Sequence, residues 1–221
     1  MTIKLLALDT STNACSVALY LDGEVIEQYH YAPRLHGELV LTMVDELLQS
    51  VKLKLNDLDA LAYGCGPGSF TGVRMASSVV QGLAVGVNKP IIAISSLQAM
   101  AHTFYLQLGY TQIACAFDAR MQEVYWGAYR FNNSEWEGVG EECNIAPTAA
   151  PALPADWVGA GDGWDAYAVE LAQTTGIKTY YPRCYPHAAG VAHLAIPRYV
   201  RGEYISAGDA LPNYLRNKVT H

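Results

Sequence analysis

Residues 3–12 read Ile3-Lys4-Leu5-Leu6-Ala7-Leu8-Asp9-Thr10-Ser11-Thr12, an apolar run that ends on an acid and then turns polar. A short apolar run bounded by turn-forming residues predicts a buried strand. Outward from it, residues 15–21 predict a second strand, Asp22-Gly23 is a tight hairpin signal, and residues 24–30 return as a third strand. Leu39, Val40, Met43, Val44, Leu47, Leu48 and Val51 then recur at helical spacing from His36 onward. Residues 60–63 form the next strand, 71–87 the next helix and 91–94 another strand, and Ser95 suits the N-cap of a helix to about residue 108. At Ile113-Ala114-Cys115-Ala116-Phe117-Asp118 the pattern restarts: an apolar run again ends on aspartate, 109 positions after Asp9, and residues 124–131 alternate as a strand. An order of three strands, helix, strand, helix, strand, helix, begun twice, predicts an α/β fold built from a duplicated unit. The bland alternative is two unrelated strand ends that each carry Asp.

Before the second helix stands Gly-Pro-Gly-Ser-Phe-Thr-Gly-Val-Arg, residues 66–74. Its glycines and the helix start suggest a phosphate loop, yet the templates fail. A Walker motif needs Gly-Lys-Ser/Thr where Thr71 and Val73 stand, and the dinucleotide fingerprint needs a third glycine at Thr71. Two readings remain. Either the loop is a sharp turn in which Ser69 or Thr71 caps the helix and Arg74 holds a carboxylate, or it is the remnant of an anion site.

These nine residues are similar to the signature of the TsaB (YeaZ) family, which supports threonylcarbamoyladenosine (t6A) formation on tRNA. Leu8-Asp9-Thr10-Ser11-Thr12 and Asp118-Ala119-Arg120-Met121-Gln122-Glu123-Val124-Tyr125 resemble the same family, with looser similarity at 212–216. The resemblance implies an actin-like (ribonuclease H-like) duplicated βββαβαβα fold in two lobes. The first lobe, 1–108, carries the partner helices; the second is 109–221, with a last segment free to return to the first. In the superfamily the two aspartate turns face a cleft that positions Mg²⁺ and phosphates. Here Thr10-Ser11-Thr12 and Ala119-Arg120-Met121 replace the glycines, so a degenerate nucleotide cleft is expected at Asp9, Ser11, Thr12, Asp118, Gly159, Gly161 and Gly163. The three glycines could approach an adenosine or simply make a strand-to-helix turn.

The catalytic relative, TsaD, holds a metal through two histidines four apart on one helix, whereas here Val40 follows His36 by four. No metal or other cofactor is expected, and no catalytic residue. The role implied is a non-catalytic activating subunit that binds a TsaD-type subunit with a TsaE-type ATPase, for transfer of threonylcarbamoyl to N6 of adenosine 37. The same helices pair with TsaD or, when alone, with a second copy. The interface expected from this is His36, Leu39, Met43, Leu47, Val73, Met75, Ala76 and Val80, with Met43 and Val80 facing outward. The alternatives are an ATP-dependent phosphotransferase and a peptidase of the M22 type. Against the latter, Pro67 and Thr71 replace the glycines that would flank Ser69 in a nucleophile elbow.

Composition narrows the classes further. Hydrophobic residues make up 51% and charged residues 16%, which implies either an apolar partner surface or a large core. A net charge of −7 with no Lys/Arg cluster excludes unaided tRNA binding, so tRNA is expected to be reached through the complex. Five dispersed cysteines read as reduced thiols. No signal region opens the chain and no apolar run is read as a membrane span, so a cytoplasmic protein without membrane contact is expected.

Overall fold

A computed structural model describes residues 2–216. The chain groups into two compact units, one of residues 2–99 with Pro186–Asn213 and one of Met100–Tyr185 with residues 214–216. The sequence boundary at 108/109 keeps the helix after Ser95 in the first lobe, whereas this grouping assigns most of that helix to the second unit.

The first unit is a five-stranded sheet in the order β3-β2-β1-β4-β5, made of β1 (Lys4–Asp9), β2 (Ala14–Leu21), β3 (Glu24–Tyr31), β4 (Ala60–Gly66) and β5 (Ile91–Ser95). Strands β1, β2 and β3 pair antiparallel, and β4 and β5 join in parallel on the other side of β1. Both sheet faces are covered, which is why the middle of β1, Leu5 to Leu8, is apolar without alternating. Leu6 and Leu8 pack with α1 (His36–Ser50) and α2 (Phe70–Val87) on one face. Leu5 and Ala7 pack with α6 (Ala188–Val200) on the other. Each fully buried Leu stabilises the fold by roughly 2 kcal/mol relative to exposure.

Local chemistry sets the ends of these elements. Asp22 and Gly23 both take positive φ, 50° and 103°, as a two-residue hairpin turn requires. Ser69 caps α2 by accepting the Gly72 N–H at 3.1 Å, and Asn88 closes it in the left-handed conformation. Helix α2 is long and apolar enough to cross a membrane by length and composition, which the sequence reading did not pick out. Its buried side chains instead lie on β4 and β1.

The second unit has the same strand plan. Strands β6 (Gln112–Arg120), β7 (Glu123–Asn132), β8 (Glu135–Gly138), β10 (Val158–Ala160) and β11 (Thr179–Tyr181) stand in the order β8-β7-β6-β10-β11, with short β9 (Cys143–Ile145) also on β7. The antiparallel and parallel pairings repeat those of the first sheet strand for strand, so the duplicated α/β unit holds. It departs most where a 3-10 turn at Pro147–Ala149 stands in place of α1, and also in the added β9. After β10 come the short α4 (Gly163–Ala166) and α5 (Ala168–Thr175). Helix α3 (Ser96–Leu108) follows β5. The five cysteines are free thiols, and burial with the nearby Asp9 charge pushes Cys15 up to about 12.

Candidate functional site

The first aspartate turn and the glycine loop are one interlocked piece. Asp9 Oδ1 accepts the Ser11 N–H at 2.8 Å and the Ser11 hydroxyl at 2.7 Å, and Oδ2 accepts the Ser96 hydroxyl at 2.8 Å. The carboxyl is fully enclosed, and burial raises its pKa against the lowering effect of these bonds. Ser69 N–H donates to Ser11 O at 2.7 Å, and the Thr10 hydroxyl donates to Gly72 O at 2.7 Å. A Cβ on Gly68 would lie 2.3 Å from Ser11 O, and one on Gly72 2.0 Å from Thr10 O. The glycines of the 66–74 signature therefore admit the backbone of the Asp9 turn. Thr12 is buried beside it, its Oγ1 accepting the Ala14 N–H at 3.4 Å. Ser96 was missed in the sequence; the only signal was its place next to Ser95, whose hydroxyl accepts the Gln98 N–H as the expected cap.

The second aspartate turn is built differently. Asp118 Oδ1 accepts the Arg120 N–H at 2.8 Å and Oδ2 pairs with the Arg120 guanidinium at 2.8 Å, while the Asp118 N–H donates to Asp162 Oδ1 at 3.0 Å. Arg120, Met121 and Gln122 all have φ between 56° and 62°, a left-handed run of non-glycine residues. Burial, with the Asp118 charge beside it, pushes Asp162 up to about 6. Asp162 was overlooked because it sits inside the 158–164 glycine turn that drew attention to its glycines. Those glycines meet the protein itself: a Cβ on Gly159 would overlap the Trp164 ring at 2.4 Å, and Gly161 and Gly163 lie against Ala116. Arg216, in the loosely similar 212–216 stretch, pairs with Glu123 and reaches Arg120 O.

The helix residues need a correction. Met43 (2% exposed) and Val80 (0%) do not face outward but sit in the core under the sheet. His36, Leu47, Val73 and Ala76 are buried with them, and Leu39 and Met75 are half-buried. Their spacing marks the inward stripe of each helix, and the sheet takes all of it. His36 donates through Nε2 to Ala14 O at 3.2 Å, a structural bond. The outward surface of α1 carries Glu38, Leu41 (54% exposed), Thr42, Asp45, Glu46 and Gln49, and that of α2 carries Phe70, Thr71, Arg74, Ser78, Gly82, Val85 and Gly86. Space above Gly82 and Gly86 is open, with nothing within 4 Å of a Cβ there. Arg74 lies over the Phe70 ring at 3.7 Å. Among the described residues, no group of three or more His, Cys, Asp or Glu is arranged to hold a metal ion.

Residues 25–185 match the family model described as TsaD, tRNA N6-adenosine threonylcarbamoyltransferase. The chain is 39% identical to the tRNA threonylcarbamoyladenosine biosynthesis protein TsaB of Escherichia coli, covering 98% of this chain and 96% of that one. It is 40% identical to the Haemophilus influenzae protein of the same name, over 99% and 95%. The solved structure of YeaZ from Pseudomonas aeruginosa superposes with a TM-score of 0.91 at 44% identity, covering 96% of this chain and all of that one. With the glycine signature, both aspartate turns and the repeated strand order in place, the chain belongs to the TsaB (YeaZ) family.

Proposed function

We propose that the chain is a non-catalytic activating subunit of t6A formation, docking a TsaD-type catalytic subunit, with a TsaE-type ATPase, through the outward faces of α1 and α2. Chemistry and tRNA contact belong to the partners. The observation that carries the reading is the state of Asp9. A carboxylate whose oxygens accept three bonds from Ser11 and Ser96, behind glycines filled by its own backbone, does not fit a cation or a phosphate. The second turn supports this: Arg120 occupies Asp118, and the left-handed side chains leave no glycine cradle.

The outward face supplies the positive half of the proposal. Ser78, Gly82 and Gly86 recur every four residues along the exposed side of α2, with open space above the two glycines, so a partner helix can approach closely, and the exposed Leu41 and Val85 give it apolar area. A second copy can use the same face when the partner is absent. The test is reconstitution: t6A on tRNA is measured with TsaD-type and TsaE-type subunits, with and without this chain. Formation that depends on the chain and is lost with Gly82→Arg, while that variant melts as the wild type does, supports the reading. Product made by the chain unaided, or tight ATP binding by the isolated chain in calorimetry, overturns it.

A further inference from the structure

After α6 the chain turns at Gly202, where φ is 77°, and residues 203–213 run along the first unit as a strap. The strap has internal order of its own. Its 3-10 turn, Ala207–Asp209, is closed by the Ser206 hydroxyl donating to Asp209 Oδ2 at 2.6 Å and by the Asp209 N–H on Ser206 O at 3.1 Å. Separate points then fasten it to the unit. Ile205 and Ile91 exchange N–H···O bonds at 2.8 and 3.0 Å, so the strap covers the outer edge of β5. Ala210 O accepts from Ser77 Oγ and, at 3.1 Å, from Gln81 Nε2, one turn farther along α2. Leu211 O accepts the hydroxyl of the enclosed Tyr63 at 2.9 Å, and the Asn213 N–H donates to Cys65 O at 2.7 Å.

The last of these bonds reaches the signature loop. Cys65 O and the Gly66 N–H belong to one peptide group, and that N–H donates to Ser96 Oγ at 3.2 Å, which in turn donates to Asp9 Oδ2 at 2.8 Å. A single peptide therefore joins the strap to the Asp9 turn. Gly66, at φ 102°, also turns a bare Cα toward the strap, since a Cβ there would lie 3.1 Å from Asn213 O. Little apolar surface holds the strap down. Within residues 203–213 only Ala210 is buried; Ile205 and Ala207 are half-buried, and Tyr204 and Leu211 are exposed. A segment held by a few polar bonds and little apolar burial opens at low free energy while the core stays closed.

We infer that residues 203–213 are a hinged strap that swings away as a unit from Gly202 while the sheet stays folded, and that its seating locks the Cys65–Gly66 peptide at the start of the 66–74 loop. The order of the signature loop is then set by a segment far from it in sequence. Opening the strap loosens Gly66 and bares the Ile91 edge of β5; closing it restores both.

Hydrogen exchange of the full chain, read amide by amide by NMR in rising urea below the unfolding transition, tests this. The reporters are the N–H groups of Ile91, Ile205 and Asn213, which bond across the strap's seat, and of Gly66, against those of Leu6 and Leu8 in the middle of β1. The first four are expected to exchange together, about 100-fold faster than those of β1 and with little urea dependence. One urea slope shared by all six overturns the strap, and Gly66 exchanging with β1 overturns its hold on the loop. Ala210→Lys, which sets a long charged side chain where the alanine is enclosed, should unseat the strap. Ile205, Asn213 and Ile91 are then expected to lose nearly all protection and Gly66 to exchange about tenfold faster, with β1 still protected. Gly66 unchanged in that variant overturns the proposal. If the variant does not fold, the wild-type slopes alone decide, because they separate the strap and Gly66 from β1 or fail to.

Discussion

The two aspartate turns occupy the same place in two copies of one strand plan, at the ends of β1 and β6, and they have been secured in opposite ways. Asp9 is enclosed and held by hydroxyl and amide donors from Ser11 and from Ser96, a residue 87 positions away in sequence. Asp118 is held by Arg120, two residues on, whose side chain is 81% exposed, on a left-handed turn. The first side chain joins distant segments, whereas the second stays within its hairpin and only the Asp118 backbone N–H reaches a distant residue, Asp162. An acid at the same topological position in both sheets thus marks the repeated strand plan, while its surroundings decide what it can do.

This contrast can be broken most severely at Gly64, where a Cβ would lie 1.8 Å from Asp9 Oδ2 in a fully buried setting. Gly64→Ala should lose more than about 3 kcal/mol in urea unfolding, because neither the strand nor the enclosed carboxyl can yield. Asp9→Ala should lose about 3 kcal/mol by leaving the Ser11 and Ser96 donors unpaired, and Asp9→Asn, which keeps an acceptor at Oδ1 without a buried charge, less than half of that. Comparable loss for both Asp9 variants would show that the charge itself matters.

On the second turn the expected effects depend on pH. Asp162, raised to about 6 from an unfolded value of 3.8, keeps its proton in the folded state through that interval. Its favourable contribution is complete below the unfolded value and is lost as pH rises through about 6, lowering stability by up to about 3 kcal/mol across the window. Asp162→Asn should flatten that slope in melts taken from pH 4 to 7. Smallest of all, Arg120→Ala should change stability by less than about 1 kcal/mol, since the guanidinium of its ion pair is largely solvated. A larger loss would mean that the exposed guanidinium carries the turn.

What could be read from the sequence follows the range of the interactions. The opening hairpin, the two strand ends and the helix cap at Ser69 depend on residues a few positions apart, and the structure has each of them. The repeated plan was visible in β6 and β7, but the missing helix after β9 was not, because Pro147-Thr148-Ala149 carries no helical stripe to compare with that of α1. The outward side of the helices was misplaced for a related reason. A stripe at 3.6-residue spacing gives the inward side of a helix, and α1 and α2 have so many apolar positions that surplus was mistaken for exposure at Met43 and Val80. The residues that are exposed, Ser78, Gly82 and Gly86, are noticeable only once the sheet has fixed which side is free. Ser96 and Asp162 act on partners far along the chain or inside a motif chosen for its glycines, so local pattern could not single them out.

Helix α6 is the last α-helix among the described residues yet covers the sheet formed first, burying Leu5, Ala7, Ile92 and Ile94. During synthesis, that face of the opening sheet must therefore stay bare until about 200 residues have left the ribosome. A chain stopped at residue 185 would emerge with an uncovered apolar sheet and stand exposed to chaperones and proteases. Although its two halves share one strand plan, the first is not a free-standing product of translation.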